Sequence, residues 1–124
     1  MRRLLILVGA LALAACQGPL GSSAEIALDE FEIKPSISRF EAGNVTLDVI
    51  NQGEFGHTLV ITDAEGHVLS AGGVIDSGQT SQVSIDLAAG DYSFTCRIVA
   101  QDDEGNVIDH YEQGMSAEVT ARAD

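Results

Sequence analysis

Three side chains in the last quarter of the chain, Cys96, His110 and Met115, could do chemistry together. The chain spends these residue types sparingly: two cysteines, three histidines and two methionines, one of them Met1. A thiol, an imidazole and a thioether in one stretch suggest a transition-metal site, and His57 upstream offers a fourth donor. A thiolate with two imidazoles in a trigonal arrangement and a weak axial thioether is the donor set of blue-copper electron-transfer sites. Soft sulfur stabilises Cu(I), and imidazole suits both oxidation states. A rigid frame holding a compromise geometry therefore lets copper change charge with little rearrangement. On this reading His57, Cys96, His110 and Met115 hold one copper ion that cycles between Cu(I) and Cu(II).

Each residue has a plainer reading when taken singly. A buried cysteine behaves as a small hydrophobe and a methionine as a gap filler, and either histidine could face solvent. His67, beside a hairpin turn, reads as a surface residue. The acidic run Asp102-Asp103-Glu104 lacks the alternating oxygen ligands of a calcium loop and reads as a solvated hairpin tip. No nucleophile-base-acid arrangement, phosphate-cradling glycine loop or HExxH motif is present, so a non-enzymatic role is expected. Three histidines do not furnish the extra copper centres of an oxidase or nitrite reductase.

The donors must be positioned by strands. Ile26, Leu28, Phe31 and Ile33 nearly alternate with acids, with a phase slip at Asp29-Glu30 that reads as a bulge or bend, and Pro35 ends the segment. Val45, Leu47 and Val49 share one face of the next strand. His57 to Thr62 reads as a third strand opening on its histidine, and Asp63 to Gly66 as a hairpin turn. Val83, Ile85 and Leu87 point inward from another strand. Tyr92, Phe94 and Cys96 share a face, and Ala117 to Ala121 closes the domain. Short strands at intervals of about ten residues between glycine-containing turns predict an all-β Greek-key β-sandwich, a single domain over residues 25–124.

The front of the chain reads differently. Met1-Arg2-Arg3 and the apolar run Leu4 to Leu13 have the pattern of an export signal, too short for a membrane span. Leu13-Ala14-Ala15-Cys16 resembles a bacterial lipobox. Residues 1–15 are thus expected to be a lipoprotein signal peptide, Cys16 the lipidated residue, and 16–24, rich in Gly, Ser and Pro, a flexible tether. The expected location is the cell envelope, extracytoplasmic and held to the membrane by lipid only. From Cys16 onward 4 Lys and Arg face 19 Asp and Glu, a formal charge of −15. That surface repels nucleic acid and steers cationic partners. With Cys16 acylated, Cys96 is a lone thiol in an oxidising compartment, which metal binding would explain.

Four segments in order resemble the cupredoxins of the plastocyanin and azurin superfamily. Phe31-Glu-Ile-Lys-Pro35 through Phe40-Glu-Ala-Gly43 is similar to their first strand and turn, and Asn51-Gln-Gly-Glu-Phe-Gly-His57 to the segment presenting the first ligand. Ala89-Gly-Asp-Tyr-Ser-Phe-Thr-Cys96 resembles the Gly-x-Tyr-x-Phe-x-Cys strand, and His110-Tyr-Glu-Gln-Gly-Met115 the closing His-x4-Met loop. The resemblance implies a β-sandwich, one copper on these four ligands, and electron exit through His110. Docking would use Phe55, Gly56 and Gly114 as an apolar rim. Asp102, Asp103, Glu104, Asp109 and Glu112 would attract a basic redox protein such as a c-type cytochrome. Two features depart from the family. Thr58 stands where asparagine is common, and 13 residues separate Cys96 from His110, read as an inserted hairpin turning at Gly105. Envelope copper sequestration or delivery, and a metal-free interaction module, are the alternatives.

Overall fold

A computed structural model describes residues 20–123. The expected signal peptide, Cys16 and the first residues of the expected tether lie outside the described residues. All regular structure among the described residues is β, because the sequence alternates apolar and polar residues with the period of a strand. One sheet has four strands in the order β2-β1-β4-β7: β1 (Ser23–Asp29), β2 (Glu32–Pro35), β4 (Gly43–Asn51) and β7 (Thr80–Leu87). The other has five in the order β3-β11-β8-β5-β6: β3 (Arg39–Glu41), β5 (Val60–Asp63), β6 (Val68–Ala71), β8 (Gly90–Thr95) and β11 (Ser116–Arg122). β1 runs parallel to β4, and β3 parallel to β11; the other pairs are antiparallel.

The core is built from the inward residues of both sheets. Ile26, Leu28, Val45, Leu47 and Val49 come from the first, and Phe40, Ile61, Phe94 and Val119 from the second, all buried. Phe40 and Phe94 meet with ring centroids 6.5 Å apart. Tyr92 Oη donates to Ala88 O at 2.6 Å, so its ring reaches the core while its hydroxyl stays satisfied. Gly43, at φ 129°, takes the chain from β3 to β4 and hence from one sheet to the other.

Three sequence expectations change. The stretch read as tether through residue 24 is already part of the fold at its end: Glu41 N donates to Gly21 O, Thr46 N donates to Ser22 O, and Ala24 is buried in β1. A strand needs only backbone donors and acceptors to pair, which Gly and Ser supply, so their composition concealed one. The phase slip at Asp29-Glu30 is a tight hairpin: Asp29 pairs with Glu32 across the two residues Glu30 and Phe31. The third strand starts at Val60 rather than His57, because the backbone of His57 pairs with Ile75 in an isolated bridge instead of joining a sheet.

The inserted segment is the expected hairpin. β9 (Val99–Gln101) and β10 (Val107–Asp109) pair only with each other, and His110 N donates to Ile98 O at 3.0 Å to close its root. At the tip Gly105 has φ 82°. Asp102 accepts from Glu104 N, Asn106 N and Asn106 Nδ2 at 3.0, 2.8 and 3.0 Å, and these bonds, Asn106's foremost, hold its carboxyl below the usual range. Since no other strand depends on this turn, Asp102→Ala should loosen it locally. Amide exchange of Glu104 to Asn106 is expected to accelerate roughly tenfold or more while the global melting transition stays put; a matching fall in melting temperature would show the hairpin to be part of the main cooperative unit.

Candidate metal centre

The four residues singled out from sequence arrive from four places at one end of the sandwich. Cys96 follows β8, His57 lies in the loop between β4 and β5, His110 follows β10, and Met115 precedes β11. All are buried: His57, Cys96 and Met115 at 0% exposure and His110 at 3%. His57 Nδ1 and His110 Nδ1 are 3.2 Å apart, and Cys96 Sγ lies 3.9 Å from the first and 3.5 Å from the second. Met115 is tied to two of the others by backbone: Cys96 N donates to Met115 O at 3.2 Å and Met115 N to His110 O at 3.1 Å.

Local chemistry fixes each donor. Asn51, fully buried, donates from Nδ2 to Phe55 O and Ile75 O at 2.7 and 2.8 Å and accepts at Oδ1 from Gly53 N at 2.9 Å, clamping the loop that carries His57. Thr58 N and Oγ1 donate toward Cys96 Sγ at 3.4 and 3.7 Å, and Arg97 N donates to Thr58 Oγ1 at 3.3 Å. Threonine thus does brace the cysteine here. Gly114, at φ 98°, and Asp109 Oδ1, which accepts from Tyr111 N and Glu112 N, shape the turn from His110 to Met115. The Arg97 guanidinium stacks 3.7 Å over the Tyr111 ring, linking the residues that follow Cys96 and His110.

The electrostatics keep the His110 imidazole available as a ligand. Burial holds the His110 pKa below its ordinary value, with the His57 charge adding to the effect and Asp109 and Glu30 opposing it. Glu30 accepts from Glu54 N at 2.6 Å and Phe55 N at 3.0 Å, and its pKa is lowered, first by the Phe55 N–H, against its partial burial. His57 Nε2, buried and without a well-formed hydrogen bond, lies 3.4 Å from Glu30 Oε1.

These donors fit a single copper ion. Nitrogen and sulfur ligands sit about 2.0–2.3 Å from a metal, so donors of one ion stand roughly 3–4 Å apart, as these three do. Without a cation, a buried thiol and two imidazole nitrogens would face one another with few partners. Cys96 is a free thiol, and its mixed sulfur and imidazole company suits copper better than calcium or magnesium.

Comparison with known proteins agrees with this geometry. A family profile of the cupredoxin-like domain matches residues 3–108, taking in His57 and Cys96 and stopping just short of His110. The chain belongs to the cupredoxin-like family. Among solved structures this cupredoxin-like fold is similar to reduced auracyanin from Roseiflexus castenholzii (TM-score 0.68, 17% identity, 84% of this chain and 99% of that one). It is also similar to auracyanin A from Chloroflexus aurantiacus, a "blue" copper protein (0.57, 14%, 81% and 98%), and to rusticyanin from Thiobacillus ferrooxidans (0.56, 16%, 82% and 79%). A search of curated protein sequences found no significant match.

Other residues named from sequence take varied places in this cupredoxin-like domain. Phe55 is 51% exposed, with its ring 6.5 Å from that of His110. Phe55, Ile98, Ala100, Ile108 and His110 line a cleft of about 490 Å³ that also reaches Asp102 and Asp103. Glu104 and Glu112 are exposed, whereas Asp109 is partly buried and engaged in the turn. His67 is at the surface but has a partner, Asp63 Oδ2 at 3.1 Å. Sequence reasoning missed Glu30, Phe31 and the Arg97–Tyr111 stack; the only trace was the phase slip that Glu30 and Phe31 create.

A buried His with a lowered pKa binds its proton more readily unfolded than folded. The unfolded chain therefore holds more protons between the lowered pKa and 6.5, and stability rises with pH across that window. Metal-free protein should lose melting temperature on acidification from pH 7.5 to below 6.5. His110→Gln should flatten that slope. An unchanged slope would place the responsible proton elsewhere.

Proposed function

We propose that this cupredoxin-like protein is a mononuclear type 1 copper electron carrier, in which His57, Cys96, His110 and Met115 would hold the ion. The observation that carries the reading is the convergence of two Nδ1 atoms and one Sγ within 3.9 Å of one another, on buried residues drawn from three different segments. Bound copper supplies a one-electron Cu(I)/Cu(II) couple. The chain's own part is to hold the donors where neither oxidation state is fully satisfied, to exclude water, and to cover His110 so thinly that a partner can approach it. One electron enters from a reduced partner and leaves to an oxidised one, and no covalent bond is made or broken. This is a carrier's role rather than an enzyme's.

Attachment through a lipidated Cys16 in the cell envelope is the reading supported by the leader, and the formal charge of −15 favours a basic redox protein, such as a c-type cytochrome, as partner. Phe55 and the cleft beside His110 would form the apolar part of that contact, with Asp102, Asp103 and Glu104 nearby for steering. Among the described residues no helix is long and apolar enough to cross a membrane.

Copper added to the metal-free protein should give an intense visible thiolate-to-copper absorption and a reversible one-electron wave, both lost in Cys96→Ser. Tight Cu(I) binding without a blue Cu(II) form would point instead to copper sequestration or delivery, and no binding to an interaction module. In stopped-flow reduction by a basic cytochrome, the rate should fall about tenfold or more from low to high ionic strength. Neutralising Asp102, Asp103 and Glu104 together should flatten that dependence; a rate indifferent to salt would remove the steering argument.

A further inference from the structure

The tip of the β1–β2 hairpin reaches both imidazoles of the centre. We infer that Glu30 and Phe31 form a two-pronged brace that sets the geometry of the metal centre, Glu30 acting on His57 and Phe31 on His110. The inference rests on the copper reading above and names positioning residues for that site.

Glu30 is seated from behind. Its Oε1 accepts from Glu54 N and Phe55 N at 2.6 and 3.0 Å, and the same atom lies 3.4 Å from His57 Nε2. Gly53 makes room for this, since a Cβ there would stand 2.3 Å from that oxygen. His57 Nε2 is buried and makes no well-formed hydrogen bond, so the Glu30 carboxylate is the polar group placed to serve it, while its Nδ1 faces Cys96 and His110. A carboxylate beside Nε2 selects the tautomer with hydrogen on Nε2 and leaves the Nδ1 lone pair for metal, the arrangement of carboxylate–histidine–metal triads. It also places a negative charge near the site, which favours the more positive oxidised ion.

Phe31 forms the other prong. Its ring meets that of His110 edge to face, with centroids 5.2 Å apart and planes at 76°. Among the described non-glycine residues it alone has a positive φ, 60°. A bulky side chain is an outlier there, and such conformations persist where the surroundings impose them, commonly at functional sites. Holding its ring on His110 is a use that turn closure alone does not require. The hairpin is anchored to the His57 loop, with Gln52 N donating to Leu28 O at 2.8 Å, so the tip and the loop move together.

The test compares full-length wild type with Glu30→Gln, Glu30→Asp and Phe31→Asn. In metal-free protein, nitrogen NMR should show His57 in a single Nε2–H tautomer, mixed in Glu30→Gln. Loaded with copper, Glu30→Gln should release Cu(II) to a chelator about 10–100-fold faster. A tenfold loss in Cu(II) relative to Cu(I) affinity would raise the potential by about 59 mV. Glu30→Asp, which keeps the charge but shortens its reach, should recover part of the potential but not the release rate. Phe31→Asn should remain folded, because asparagine tolerates the positive φ and offsets part of the packing lost with the ring, yet lose copper faster and alter the copper electron paramagnetic resonance spectrum. Folded variants with wild-type tautomer, release rate and potential would overturn the brace. Wild-type protein that never turns blue would sink the copper reading instead, while the tautomer measurement on metal-free protein would still decide for or against Glu30.

Discussion

The structure depends on the cost of burying a thiol and two imidazoles within 4 Å of each other. Buried polar groups without partners are expensive, and this cluster has few besides one another. His57 Nδ1 faces His110 Nδ1, Cys96 Sγ receives only two long contacts from Thr58, and His57 Nε2 has Glu30 alone nearby. A cation removes the problem by engaging all three donors at once. The rest of the domain prevents the alternative, in which the side chains rotate apart. Asn51 fixes the His57 loop through three hydrogen bonds, and the backbone of Met115 is bonded to both Cys96 and His110.

That constraint explains why a β-sandwich suits the task. The donors come from segments distant in sequence, and strands of two sheets supply nearly rigid rails for their ends. Cys96 extends β8, which is flanked by β5 and β11, while Met115 leads directly into β11. The ligand loops therefore span gaps between strands already held by ladder hydrogen bonds, and little freedom is left for the donors to move apart.

The fold and the residues that converge at the centre, His57, Cys96 and His110, were legible in the sequence because both rest on local patterns. Alternation in Val45-Thr-Leu-Asp-Val and in Tyr92-Ser-Phe-Thr-Cys96 specifies faces, and scarcity makes Cys96, His110 and Met115 conspicuous. What escaped is what depends on tertiary approach. Glu30 looks like one acid among many, and only folding sets it against the amides of Glu54 and Phe55, some two dozen residues away. The positive φ of Phe31 has no sequence signature, since glycine or asparagine is the residue type that announces it. The composition around Ser23 and Ala24 reads as tether because composition reports flexibility, whereas strand pairing is a property of the backbone. His57 was placed at a strand start because the apolar run after it is continuous, yet the pairing of His57 with Ile75 turns that segment toward the metal centre before the sheet begins.

The long connection between Cys96 and His110 then becomes intelligible as mechanics. Thirteen unstructured residues would leave His110 free to wander. Here the excess is folded upon itself: β9 and β10 pair, Ile98 O accepts from His110 N, and Arg97 stacks on Tyr111. The two ends are held together as a short loop would hold them, and the added length projects outward as a wall beside His110. What the insertion changes is therefore the approach rather than the ligand set. The cleft beside His110 lies between Phe55 and the apolar inner side of a hairpin whose tip carries Asp102 and Asp103, so on the proposed reading the segment that closes the ligand loop would also select, by shape and charge, what can come near it.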